Sequence, residues 1–116
     1  FRRVLFRSNY GELDFLRTTK GKETVIDAKY KPQYKNKTYE IDDVRQLSAY
    51  ARDKGTFKAL GIPCTEWRNT LLDCLIVYPD QEAKGYLEEN QLLNSPINQF
   101  EKFYKIGIRI PEISNK

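Results

Sequence analysis

The sequence predicts an α/β domain built on a mixed β-sheet. Three observations carry that expectation. The chain has 116 residues, enough for one domain with a modest core. Its periodic segments run strand, strand, helix, strand, strand, an order that points to an α/β or α+β domain with a mixed sheet. One of those segments, "LLDCLIVYP", is nearly continuous in apolar residues, as a strand buried on both faces would be.

Residues 1 to 8, "FRRVLFRS", stand apart. They back-translate to TTCAGACGTGTGCTCTTCCGATCT, which resembles a common short-read sequencing adapter. The native sequence is therefore expected to start near Asn9 and to be cut off upstream, and such a scar is kept out of fold reasoning. The alternative is a genuine basic amphipathic strand. Residues 9 to 116 then form the domain fragment. "GELDFLRT" (11 to 18) alternates Leu13, Phe15 and Arg17 with Glu12, Asp14 and Leu16, the period of a strand. A polar turn with a glycine, "TKGK", leads into a second strand, "ETVIDAKY" (23 to 30), and the two make a hairpin. A loop rich in Lys and Tyr follows. "DDVRQLSAYARDKG" (42 to 55) reads as a helix, with acids at its start, Arg52 and Lys54 in its last turn, and Gly55 where a C-terminal cap belongs. Residues 56 to 70 are expected to be irregular or a short helix. The buried strand spans 71 to 79 and ends at Pro79. Residues 80 to 101 are polar and poorly periodic. "KFYKIGIRIPEI" (102 to 113) alternates as a last strand and stops at Pro111.

The net charge of +4 hints at a polyanionic partner, but removing the three arginines of residues 1 to 8 takes it from +4 to +1. Any DNA-binding argument then rests on local patches. No apolar run is long enough to span a membrane. The two cysteines, Cys64 and Cys74, are too few for a four-ligand zinc or iron–sulfur site, and the chain has no histidine to complete one. They read as reduced thiols of a cytoplasmic protein, and without a histidine partner neither reads as a nucleophile.

The hairpin register brings charges together. A turn at Lys20–Gly21 lets the glycine supply a positive φ. Leu16 then faces Val25, Asp14 faces Asp27, and Glu12 faces Lys29. Side chains alternate along a strand, so Glu12, Asp14, Asp27 and Lys29 share one face. Leu13, Phe15, Ile26 and Ala28 share the other and are free to enter a core. Carboxylates directly opposite each other repel, unless a cation lies between them. Mg2+, which binds through one or two carboxylates with water and phosphate, is the natural occupant. Lys29, beside the pair, is placed to polarise a metal-bound water or to stabilise charge on a phosphate. The plain alternative is a solvent-facing strand with ordinary ion pairs.

This pattern resembles the PD-(D/E)xK nuclease superfamily, whose signature is an Asp on one strand and a (D/E)-x-K triplet on the next: here Asp14 and Asp27-Ala28-Lys29. Its usual proline before the first Asp is Leu13 here. RecB-like members add Gln-x-x-x-Tyr on the following helix, matched by Gln46-Leu47-Ser48-Ala49-Tyr50. The wording "VIDAKYKP … DDVRQLSAYAR … LIVYP" is similar to the nuclease domain of the McrC subunit of McrBC-type restriction systems, over roughly residues 11 to 79. The resemblance implies a restriction-endonuclease-like mixed sheet flanked by helices and Mg2+-dependent cleavage of DNA, with Mn2+ as the substitute metal. It also implies an AAA+ GTPase partner that recognises modified cytosine. Asp14, Asp27 and the backbone carbonyl of Ala28 would ligate the metal. Lys29 would position or activate the attacking water, and Gln46 and Tyr50 would line the site. The further acid that RecB-like nucleases carry on an upstream helix has no counterpart in this chain.

Several residues keep two readings. Asp43-x-x-Gln46 also fits a capping box. Tyr50 also fits a core position. Lys31, Lys35 and Lys37, interleaved with Tyr30 and Tyr34, and with Arg45 on the helix, fit either a path for the phosphate backbone or a solvated polar surface. Trp67 reads as packing. Two other functions stay open beside the restriction nuclease. One is another RecB-like enzyme, such as a DNA-repair or CRISPR-associated exonuclease, against which the missing four-cysteine cluster counts. The other is a non-catalytic DNA-binding or assembly module.

Overall fold

A tight turn sets the first register. In the computed structural model the Lys22 N–H donates to the Thr19 carbonyl at 2.9 Å, and Gly21 takes a φ of +82°. Lys20 is not in the positive-φ region, so Gly21 occupies the third position of a type II turn, where a glycine is favoured. The flanking strands, β2 (Gly11–Arg17) and β3 (Thr24–Ala28), pair antiparallel with Phe15 opposite Ile26 and Leu16 opposite Val25. This is the register expected from the sequence. One step further along both strands stand Asp14 and Asp27. The structure describes residues 2–8, 11–29, 34, 36–83 and 91–109, with residues 2–8 and 11–14 as backbone alone.

After β3 come α1 (Ile41–Arg52), α2 (Lys54–Ala59) and a 3-10 helix (Cys64–Asn69), and the chain then returns as β4 (Asp73–Pro79), parallel to β3. β5 (Phe103–Ile108) adds parallel to β4. With β1 (Arg2–Ser8) antiparallel to β2, the sheet has five strands in the order β1-β2-β3-β4-β5. The domain is thus a mixed sheet with helices, of the α/β class. β1 covers residues set apart in the sequence reading. A short alternating segment can add to any free sheet edge, so this pairing is independent of where the segment came from. Beyond β5, the Ile97 N–H donates to the Phe103 carbonyl at 2.8 Å and the Lys105 N–H to the Ser95 carbonyl at 3.1 Å, which covers the outer edge. The last strand ends at Ile108, and Pro111 lies outside the described residues.

In-register residues of parallel strands share a face. Val25, Cys74 and Phe103 form one row and Asp27, Ile76 and Lys105 the next row on the same face. Ile26, Leu75 and Tyr104 point the other way. β4 is an inner strand, between β3 and β5, and its Leu75 and Ile76 are both fully buried, as the apolar run predicts. The larger core lies on the Asp27 face, where Val44, Leu47 and Tyr50 of α1 and Phe57 of α2 meet Leu16, Val25, Cys74 and Ile76. The opposite face carries a smaller cluster around Ile26, Leu75 and Leu92, with Phe15 packed against it. So the strand face that bears the carboxylate is no solvent-facing surface. It is the face the helices cover.

The predicted helix 42–55 is two helices. Asp53 is extended (φ −74°, ψ 131°), and its Oδ1 accepts the Gly55 N–H at 2.7 Å, capping α2. Gly55 therefore lies in a first turn rather than at a C-terminus. The true cap glycine is Gly61, with φ +76°. Its N–H reaches the Lys58 carbonyl and the Ile62 N–H reaches the Phe57 carbonyl, both at 3.0 Å. That pair of bonds is the Schellman arrangement. No helix among the described residues is long and apolar enough to cross a membrane.

Candidate functional site

Asp27 is the fourth residue of β3, 8 % exposed, and points into the helix-covered face. Lys29 follows the strand end, and its N–H donates to the Val77 carbonyl at 2.8 Å, prolonging the ladder to β4. Two residues apart on one strand, Asp27 and Lys29 share a face. Their side chains meet, with Lys29 Nζ 2.7 Å from Asp27 Oδ2. Lys29 Nζ is also 3.2 Å from Oδ1 of Asp43, in the first turn of α1. One half-buried ammonium is thus held between carboxylates from a strand and a helix. Burial alone would lower its pKa, but the hydrogen bonds and charges of Asp27 and Asp43 outweigh it and raise the net value above 10.5. Lys29 stays protonated at neutral pH.

Asp43 has a second partner. The Tyr34 hydroxyl donates to its Oδ2 at 2.5 Å. Tyr34 is 1 % exposed and its ring stacks on Tyr78 of β4, with centroids 6.1 Å apart. Burial, then the Asp43 carboxylate, push the Tyr34 phenol well above the ordinary tyrosine range. Lys105 of β5 donates from Nζ to the carbonyls of Tyr34 (3.2 Å) and Lys37 (2.7 Å), and burial lowers its pKa. The assembly lies at the C-terminal ends of parallel strands β3 and β4, beside the middle of β5, and the C-terminal ends of strands are where ligands of α/β sheets bind.

The capping box is not formed. The N-cap of α1 is Glu40, which makes no side-chain cap bond, and Asp43 stands inside the first turn. Tyr34 is too buried to follow a phosphate backbone. Tyr50 is buried in the larger core, one turn after half-buried Gln46 on the same stripe of α1. Asp14 lies in β2, and only its backbone is described. Lys37 is exposed and pairs with Glu40, and Arg45 is exposed with Asp42 at 3.6 Å. Lys31 and Lys35 lie outside the described residues. Asp43 and Tyr34 are the participants that the sequence reading missed. The signal that could have found Asp43 is its spacing, three residues before Gln46 and seven before Tyr50 on one stripe. Tyr34 and Lys105, 71 residues apart, left no local signal.

Of the metal donors that the resemblance names, the Asp27 carboxylate faces Lys29 and Ala28 is the last residue of β3. Among the described residues no group of three or more His, Cys, Asp or Glu gathers to hold an ion. Mg2+ accepts one or two carboxylates and fills its shell with water and phosphate, so a single carboxylate such as that of Asp27 is compatible with it. No protein-family model matches the chain, and no curated protein or solved structure matches it significantly.

Proposed function

We propose that this domain is a Mg2+-dependent deoxyribonuclease of the PD-(D/E)xK type with a restriction-endonuclease-like fold. It would be the cleavage subunit of a modified-cytosine restriction system that works with an AAA+ GTPase. The observation that carries the reading is the Asp27–Lys29 contact at the end of β3, opposite the first turn of the helix that bears Gln46 and Tyr50.

Water attacks the phosphorus of a DNA phosphodiester and gives up a proton to solvent, one P–O bond forms and another breaks, and the leaving oxygen takes a proton from solvent. Bound Mg2+ would supply Lewis acidity and lower the pKa of the attacking water. Asp27, Asp14 and the Ala28 carbonyl would hold that ion. Lys29 enters as an ammonium, not as a base: it orients the water and offsets charge that develops on the phosphate. Gln46 borders the site from α1, and Tyr50 supports that helix from the core. The exposed cations Lys37 and Arg45, with Lys31 and Lys35 of the same stretch of sequence, would steer the backbone.

The test is cleavage of supercoiled plasmid, with and without methylated cytosine, in Mg2+ or Mn2+. The expected result is metal-dependent nicking that falls by about a hundredfold or more in Asp27→Asn, as loss of a metal carboxylate should. A folded parent that binds DNA without cutting it would favour the non-catalytic module instead.

A further inference from the structure

We propose that Asp43 is the positioning residue for Lys29, and that Tyr34 fixes Asp43 for that task. The inference rests on the nuclease reading. Neither residue was assigned a role by the motif that suggested it.

The argument begins with the lysine. Its stem is long and flexible, and a charged head on such a stem is placed by its partners. Among the described residues Lys29 has two carboxylate partners, Asp27 at 2.7 Å and Asp43 at 3.2 Å. An ammonium has three hydrogens, so the third is the one that meets the water or phosphate. Asp27 alone would leave that third direction loose. It would also lose its hold on Lys29 whenever its oxygens turn to a cation. Asp43 sits on a different element and keeps its grip.

Asp43 is itself fixed at both oxygens. Oδ1 faces Lys29 and Oδ2 accepts the Tyr34 hydroxyl at 2.5 Å. Tyr34 is held in turn from two strands, by its ring on Tyr78 of β4 and by its carbonyl on Lys105 of β5. A continuous line therefore runs from β5 through Tyr34 and Asp43 to Lys29. The competing role for Asp43 is a favourable charge in the first turn of a helix. Asp42 shares that turn and that charge, is almost fully exposed, and pairs only with Arg45 at 3.6 Å among the described residues. It is the natural control.

Single-turnover cleavage of supercoiled plasmid by the whole 116-residue chain in Mn2+ tests the proposal. Asp43→Asn is expected to slow cleavage at saturating DNA by about tenfold to a hundredfold, with DNA affinity unchanged, as a misplaced catalytic group should. Asp43→Glu should recover part of the rate, Tyr34→Phe should lose less than Asp43→Asn, and Asp42→Asn should match the parent. A second readout needs no activity. The Lys29 NζH3+ signal in 15N NMR should be visible in the parent and in Asp42→Asn, and broadened away in Asp43→Asn. Equal rates in Asp43→Asn and Asp42→Asn would overturn the proposal, as would an Asp43→Asn protein that loses DNA affinity rather than rate. An inactive parent would overturn the nuclease reading, and the NMR comparison would then decide separately whether Asp43 holds Lys29.

Discussion

At the scale of single residues, protons decide how the site holds together. Lys29 keeps its proton more tightly in the fold than in the unfolded chain, because two carboxylates outweigh the burial that opposes it. Tyr34 does the same, through burial and then Asp43. The buried Cys74 thiol is pushed up to about 12 from an ordinary 9.0 by burial, then by Asp73. A group whose pKa is raised on folding stabilises fully below its unfolded value and loses that stabilisation as pH climbs toward the folded one. The window therefore opens near 9.0 for the thiol, 10.0 for Tyr34 and 10.5 for Lys29. Urea melts should give constant stability from about pH 7 to about pH 9 and a progressive fall above it. Tyr34→Phe should cost about 1–3 kcal/mol at neutral pH through the lost bond to a carboxylate. Its deficit against the parent should shrink above about pH 10, where the unfolded parent gains by ionising that phenol. A deficit that is constant with pH would contradict the Tyr34–Asp43 bond.

At the scale of elements, the hairpin was legible and the helix end was not. Period-2 alternation and a glycine turn fix the β2–β3 register by themselves, so Asp27 and Lys29 could be placed on one face from the sequence. The end of α1 misleads because Gly55 looks like a cap, while the decisive group is the Asp53 carboxylate two residues earlier. Gly61, followed by apolar Ile62 and then Pro63, carried the true cap signal. Asp43 was obscured by a cap motif that the chain does not use. The break at Asp53 lets α1 and α2 both lay apolar side chains on the sheet. Asp53→Ala should lower stability by about 1 kcal/mol, and Asp53→Asn should keep most of it, by the usual worth of an N-cap. Thermal melts of the two variants would check this. Equal losses would mean that the carboxylate, rather than the cap bond, matters.

At the scale of the whole molecule, the mixed sheet explains why one charged pair is worth building. β4 runs between two parallel partners, and both of its faces are covered. The helices cover the face that also carries Asp27, so its carboxylate is withdrawn from water and must be satisfied by a cation. Lys29 meets that need. The apolar pattern of "LLDCLIVYP" made β4 legible, and the strand period made Asp27 and Lys29 legible. Which face receives the helices was not, because Leu16 and Val25 on one side and Phe15 and Ile26 on the other read as equally apolar. The central claim is that Asp27 anchors a metal site beside Lys29. Calorimetric titration of the folded 116-residue chain with Mn2+, with Asp27→Asn alongside and circular dichroism confirming both folds, tests it most directly. The account predicts saturable binding in the parent that disappears in Asp27→Asn. A folded parent that takes up no Mn2+, or an Asp27→Asn protein that binds it equally well, would contradict the account.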